Sequence, residues 1–86
     1  MSIPYGTEYT HGDELIALAR AHARAEIVVR GTSPTDQGRK VFLIRDGRRH
    51  WVTSPHWYQK TGYGWDDIMH VDDSAILEVP EGDVLA

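Results

Sequence analysis

The sequence predicts an α+β domain in which an N-terminal helix packs on a small antiparallel sheet, followed by two short helical segments. Three patterns predict this class. Apolar residues recur at helical spacing over residues 12–24, and a short β-branched segment follows at Glu26–Arg30. An Asp-Gly pair then joins two apolar runs within residues 40–53, which is typical of a β-hairpin.

The length of 86 residues predicts a single domain with a small core. We expect an extended arm at 1–10, one compact unit at 11–82 and a tail at 83–86. The chain has no cysteine, so no disulfide can stabilise it and no thiolate chemistry is available. A partner subunit is therefore a reasonable source of additional stability.

The helix at 12–24 has start and stop signals. Thr10 is the expected N-cap, and the acids Asp13 and Glu14 occupy the first turn, where they interact favourably with the helix dipole. Its apolar face includes His22, which we expect to be a packed histidine. Arg24 places positive charge at the expected C-terminal end.

The hairpin at 40–53 is the most specific structural prediction. A type I′ turn needs positive φ at both central residues, and the pair Asp46–Gly47 supplies them. That turn fixes a register whose pairs are Val41 with Val52, Phe42 with Trp51, Leu43 with His50, Ile44 with Arg49, and Arg45 with Arg48. Both faces of the hairpin then carry apolar side chains. One helix can cover only one face, so we expect the face with Phe42, Ile44 and Trp51 to meet C-terminal elements or a partner.

Three further elements follow the hairpin. The segment 54–62 is a short helix that Ser54 caps, that has Pro55 in its first turn and that Gly62 ends. Residues 68–71 form a short strand. The segment 72–80 is a capped helical turn that stops at a proline.

Composition excludes several classes of protein. With 41% hydrophobic and 26% charged residues the chain is an ordinary soluble globular domain, and a net charge of −4 does not favour generic binding to nucleic-acid phosphates. The first ten residues lack the features of a signal peptide, and no apolar run is long enough to cross a membrane. We expect a chain that is made in the cytoplasm and has no membrane contact.

The later part of the chain resembles a known module. The segments "KVFLIRDGRRHWVT", "GYGWDDI" and "VPEG" are similar to a short hairpin-plus-helix module of bacterial secreted and envelope proteins, and the likeness spans residues 27–82. That module is a non-catalytic accessory unit, so the resemblance implies no enzyme activity and no cofactor. As a stand-alone chain the protein looks like a small actinobacteriophage gene product, which implies assembly into a virion inside the host.

Aromatic residues cluster between positions 51 and 65. The cluster contains Trp51, Trp57, Tyr58, Tyr63 and Trp65. In a small domain without disulfides most large rings belong to the core, although stacked rings also bind sugars. Neighbouring residues on a helix point about 100° apart, so either Trp57 or Tyr58 should be exposed.

Charge is distributed unevenly along the chain. The basic residues Arg39, Lys40, Arg45, Arg48 and Arg49 surround the hairpin, and no basic residue follows Lys60. We interpret the arginines as a solvated hairpin tip that protects an edge strand. Two alternatives remain: nucleic-acid binding with Trp51 as a stacking platform, and head-to-tail assembly of the basic hairpin on the acidic end of another copy.

Catalytic and metal-binding patterns are not recognisable. The five histidines do not have the spacing of a ligand set, and the serines lie in loops or capping positions. We therefore predict a non-enzymatic interaction module, a structural or surface component of a larger assembly such as a phage virion. The alternatives are a glycan- or envelope-binding module and a small intracellular regulator. The candidate contact residues are Phe42, Ile44, Arg45, Arg48, Arg49, Trp51, Trp57, Tyr58 and Trp65.

Overall fold

The structure, a computed structural model, describes residues 11–85. The helices over these residues are α1 (Gly12–Ala21), α2 (Asp36–Arg39), α3 (Pro55–Thr61) and α4 (Asp73–Glu78). The strands are β1 (Glu26–Arg30), β2 (Val41–Arg45), β3 (Arg48–Val52) and β4 (Ile68–His70), and a 3₁₀ turn at Trp65–Asp67 precedes β4. The arm expected at 1–10 and the cap expected at Thr10 lie outside the described residues.

The α+β class is confirmed, and the sheet is mixed rather than purely antiparallel. Its strand order is β3-β2-β1-β4, with β2 antiparallel to both of its neighbours and β4 parallel to β1. The chain between β1 and β4 contains β2, β3 and α3, and β4 therefore returns in the direction of β1. A local pattern cannot reveal this, because the two paired segments are far apart in the sequence.

The predicted hairpin is confirmed in turn type and register. Asp46 has a φ of 54° and Gly47 a φ of 73°, as a type I′ turn requires. The strand pairs run from Val41 with Val52 to Arg45 with Arg48, as the turn predicts.

The first apolar face of the sheet lies under α1 and α4. Phe42 and Ile44 are buried there with Leu15 of α1 and Ile76 of α4. Both residues were candidates for partner contact, and that expectation is wrong. Because α4 packs beside α1 on this face, the two helices together cover the apolar side chains that one helix would leave exposed. Trp51, on the same face at the edge strand, remains partly exposed.

The second apolar face lies under α3. Ser54 caps this helix, Pro55 is in its first turn and Gly62 ends it with a φ of 81°, all as predicted. Trp57 is only 4% exposed because it packs in a cluster that also contains Val28, Leu43, Val52 and Ile68. Trp57 is therefore a core residue and not a surface contact.

The end of the chain pairs with the sheet instead of forming a tail. Residues 81–85 lie parallel to β3 on its outer edge, where Glu81 bridges to Arg49 and Leu85 to Val52. The backbone N–H of Leu85 donates to Trp51, and that of Thr53 donates to Leu85. The compact unit thus extends beyond the expected boundary at residue 82.

Two local predictions differ from the structure. Helix α1 ends at Ala21 instead of Arg24, because a turn closed by the hydrogen bond from Ala25 to His22 redirects the chain into β1. His22 is consequently exposed and not packed. The loop that follows β1 leads into α2, whose first turn is capped by the hydroxyl of Thr35.

No helix among residues 11–85 has the length and hydrophobicity needed to cross a bilayer.

Candidate functional site

A ladder of aromatic rings leads from the core under α3 to the surface. Tyr63 stacks on Trp57 with ring centroids 5.5 Å apart, and Trp57 meets Tyr58 edge-on at 5.2 Å. Tyr58 in turn stacks on Trp65 with centroids 5.9 Å apart. The outermost ring is therefore supported by rings that continue into the core.

Trp65 is the most exposed large apolar side chain of the described residues, with 78% of its surface accessible. It opens the 3₁₀ turn before β4, and that turn is closed by a 2.8 Å hydrogen bond from the Gly64 N–H to the Asp67 carboxylate. Asp66 and Asp67 are also exposed. We call the patch formed by Tyr58, Trp65, Asp66 and Asp67 the Trp65 surface.

The tyrosines of the ladder are held by polar contacts. The Tyr63 hydroxyl donates to the Glu26 carboxylate at 2.6 Å, and the Arg24 guanidinium lies 5.1 Å from the Tyr63 ring centre. Burial and the hydrogen bond to Glu26 raise the pKa of Tyr63 above its ordinary value. Burial also raises the pKa of Tyr58, while the positive charge of Arg30 opposes that shift.

Arg30 is the unexplained cation near Tyr58. Its guanidinium forms no ion pair or side-chain hydrogen bond with residues 11–85, and its Nε atom is buried without a partner. A buried donor without an acceptor costs free energy, so this Nε atom does not stabilise the fold.

A second exposed tryptophan lies at the opposite edge of the sheet. Trp51 of β3 is 39% exposed, and the Lys40 ammonium lies 4.5 Å from its ring centre. Beside it is a cleft of about 120 Å³, the Trp51 cleft, which is lined by Gln37, Lys40, Phe42, Arg49, Trp51, Glu81, Gly82 and Val84. Trp51 shares a sheet face with Phe42, whereas the ladder of Trp65 lies on the other face.

Arg49 forms one wall of the Trp51 cleft and is not a free hairpin cation. Its side chain is 12% exposed. Its Nη1 donates to the carbonyls of Ile76, Leu77 and Val79 at 3.2, 3.0 and 2.6 Å, and its Nη2 bonds Glu81 at 2.9 Å. Arg49 thus satisfies the carbonyls at the C-terminal end of α4.

The basic hairpin and the acidic C-terminal segment meet within one chain. Glu81 pairs with Arg49, and its carbonyl accepts a hydrogen bond from Arg48 at 3.0 Å. Arg45, Asp46 and Arg48 of the hairpin tip, residues 45–48, nevertheless remain exposed. The Arg45 guanidinium lies 3.9 Å from the carboxylate of its neighbour Asp46. Part of the charge complementarity noticed in the sequence is therefore satisfied inside the chain.

The candidate contact residues divide into buried and accessible groups. Phe42, Ile44 and Trp57 are buried, and Arg49 is nearly so. The accessible candidates are Arg45, Arg48, Trp51, Tyr58 and Trp65, of which Tyr58 is half-buried. They lie in three separate places: the hairpin tip, the Trp51 cleft and the Trp65 surface. Glu81 and Val84 were not predicted to belong to a site, because no local pattern indicates which strand the chain end approaches. Arg30 was not predicted either, because the burial of its Nε atom depends on tertiary packing.

Comparison of the chain with protein-family models, with curated proteins and with solved structures found no match.

Proposed function

We propose that the chain is a non-enzymatic protein-interaction module that acts as a structural component of a larger assembly, for which a bacteriophage virion is our leading candidate. The observation that carries this proposal is Trp65, which is exposed over 78% of its surface yet stacked on Tyr58. The likeness that we propose between residues 27–82 and a non-catalytic module is a second reason for this proposal.

Rigid support makes Trp65 a suitable interface anchor. Tryptophan is enriched among the few residues that contribute most to protein–protein affinity. Because the ring already stacks on Tyr58 and its turn is closed by Asp67, little side-chain freedom is lost on binding. A partner that covers Trp65 gains a large apolar contact at small entropic cost.

Charge supports a second copy of the chain as the partner. Trp65 is followed by the exposed acids Asp66 and Asp67, and the hairpin tip presents the exposed cations Arg45 and Arg48. Complementary charges of this kind orient partners during association. We propose that the Trp65 surface of one copy contacts the hairpin tip of the next, which is a head-to-tail arrangement.

Light scattering with matched variants tests this arrangement. The wild-type chain, of 9.7 kDa, is expected to form oligomers whose mass rises with concentration. Trp65→Ala is expected to be monomeric, because it lacks the ring that anchors the Trp65 surface. The double variant Arg45→Glu, Arg48→Glu is also expected to be monomeric, because its acidic hairpin tip repels Asp66 and Asp67 of the next copy. Trp51→Ala is the matched control and should assemble like the wild type.

Mixing the two monomeric variants gives the sharpest result. Each variant retains one intact half of a head-to-tail interface, so a mixture should form a dimer although neither variant does so alone. A mixture that stays monomeric contradicts the head-to-tail arrangement. A wild-type chain that is monomeric at all concentrations contradicts assembly through a second copy.

A further inference from the structure

The Trp51 cleft shares no residue with the surfaces that the proposed assembly uses, although Glu81 of the cleft accepts a hydrogen bond from Arg48 of the hairpin tip. Its tryptophan lies on the edge strand opposite β4 and on the opposite sheet face from the ladder of Trp65. Nothing in the proposed function accounts for its combination of two aromatic rings, one amide, two cations and one carboxylate. The inference below therefore goes beyond that function and does not rest on it.

The cleft combines apolar and polar walls on a small scale. Phe42 and the partly exposed ring of Trp51 supply apolar surface, while Gln37 and Glu81 supply hydrogen-bonding groups. A pyranose ring likewise has an apolar part and a polar part, because one face presents C–H groups and the rim presents hydroxyl groups. The volume of about 120 Å³ suits part of a single small ring better than an extended peptide.

Arg49 and Glu81 are held in place before any ligand arrives. Three carbonyls at the end of α4 hold Arg49 Nη1, and Arg49 Nη2 in turn holds Oε1 of Glu81. The second oxygen of Glu81 takes no hydrogen bond from residues 11–85 and so can accept one from a hydroxyl. Groups held in this way lose little freedom on binding, which favours a weakly hydrophobic ligand such as a sugar.

A second, wider cleft adjoins the Trp51 cleft. It has a volume of about 420 Å³ and is lined by Asp36, Arg39, Lys40, Val41, Trp51 and Val52. Trp51 and Lys40 line both clefts, and the Lys40 ammonium lies 4.5 Å from the ring centre of Trp51. A ligand made of several linked rings can therefore extend from one cleft into the other.

Charges of both signs line this region and largely balance. Arg49 is paired with Glu81, and Asp36 lines the wider cleft together with Arg39 and Lys40. An excess of one positive charge is much smaller than the run of cations that binds a phosphate backbone, and it suits a neutral ligand better. We propose that the Trp51 cleft binds one ring of a neutral oligosaccharide, with Trp51 as the stacking platform and Glu81 and Gln37 as hydrogen-bonding groups.

Nuclear magnetic resonance titration of ¹⁵N-labelled protein tests this proposal. The probes are four neutral trisaccharides, built from N-acetylglucosamine, β-linked glucose, α-linked glucose and mannose. At least one is expected to shift the Trp51 indole N–H and the Gln37 side-chain amide signals in a saturable manner. Trp51→Ala should weaken that binding about tenfold or more. Trp65→Ala, the matched control, should bind the same sugar as the wild type does.

Two results overturn the proposal. One is the absence of saturable shifts with all four sugars at about 10 mM, a concentration at which weak sugar sites are occupied. The other is binding that Trp51→Ala leaves unchanged or that Trp65→Ala abolishes. A thermal melt of each variant shows that it is folded. Since assembly depends on Trp65 and sugar binding on Trp51, either proposal can fail while the other stands.

Discussion

Arg30 and Arg49 both lie in the sheet, but we expect them to differ in their contribution to stability because their surroundings differ. Arg49 donates to three carbonyls and a carboxylate, whereas Arg30 has a buried Nε with no acceptor. The Arg49 guanidinium also lies 5.8 Å from the ring centre of Phe42. Methionine approximates the shape of an arginine stem without the charge. The two sites should therefore respond in opposite ways to the same substitution.

We expect Arg49→Met to lower the free energy of unfolding by about 3 kcal/mol, because the carbonyls at the end of α4 lose a charged donor. Arg30→Met should leave the stability unchanged or raise it, because it removes a buried donor without breaking a hydrogen bond. Urea denaturation of the two variants measures both effects. Equal losses in the two variants would contradict this assignment of roles.

At the scale of elements, Asp73 joins two segments that are distant in the sequence. Its carboxylate accepts hydrogen bonds from the N–H groups of Thr32 and Ser33 and from the Ser33 hydroxyl. Asp73 is also the first residue of α4. The start of α4 thus fixes the loop that follows β1.

We expect Asp73→Ala to lower stability by about 2 kcal/mol, since two backbone donors and one hydroxyl lose a charged acceptor. Hydrogen exchange of the Thr32 and Ser33 amides should accelerate more than exchange in β1. Asp13→Ala, which removes the same charge from the exposed first turn of α1, is the control and should change stability by less than about 0.5 kcal/mol. Unchanged exchange at Thr32 and Ser33 would refute the coupling.

At the scale of the whole molecule, residues 81–85 complete the sheet. They donate to and accept from the outer edge of β3, and Leu85 packs against the cluster around Trp57. The Asp83 carbonyl also lies 2.9 Å from Nδ1 of the buried His50. The end of the described chain is therefore part of the core architecture.

We expect deletion of residues 82–86 to lower the midpoint of thermal unfolding by more than about 10 °C, because several hydrogen bonds and the Leu85 contact are lost together. Circular dichroism measures this change. The exposed Val84 provides the control, and Val84→Ser should shift the midpoint by no more than a few degrees. A deleted chain that melts with the wild type would show that the segment contributes nothing to the fold.

The local sequence predicts the turns and helix ends of this molecule, because these features depend on residues that are close together in the chain. The Asp46–Gly47 turn fixed the hairpin register, and Ser54, Pro55 and Gly62 bounded α3, because each acts on its immediate neighbours. The parallel position of β4 and the return of the chain end to β3 could not be predicted. Both depend on contacts between residues far apart in the sequence.

The candidate site was predictable to a smaller extent. The density of aromatic residues indicated Trp51 and Trp65 as candidates. Their exposure could not be predicted, because it depends on which aromatic rings pack between α3 and the sheet. Phe42 and Ile44 were wrongly predicted as partner contacts, because the packing of α4 on their face of the sheet cannot be read from local sequence. Arg49 looked like a surface cation because its acceptors lie in a helix that begins more than twenty residues later.

The mixed sheet has a consequence for the order in which the protein folds. β1, β2 and β3 are consecutive and pair as neighbours, so they can assemble through short loop closures. β4 reaches β1 only after the intervening hairpin and α3 have been accommodated, and residues 81–85 reach β3 last along the chain. Pairings of this range slow folding. We therefore expect the three-stranded meander β1-β2-β3 to form first, and β4 and residues 81–85 to join its two edges later.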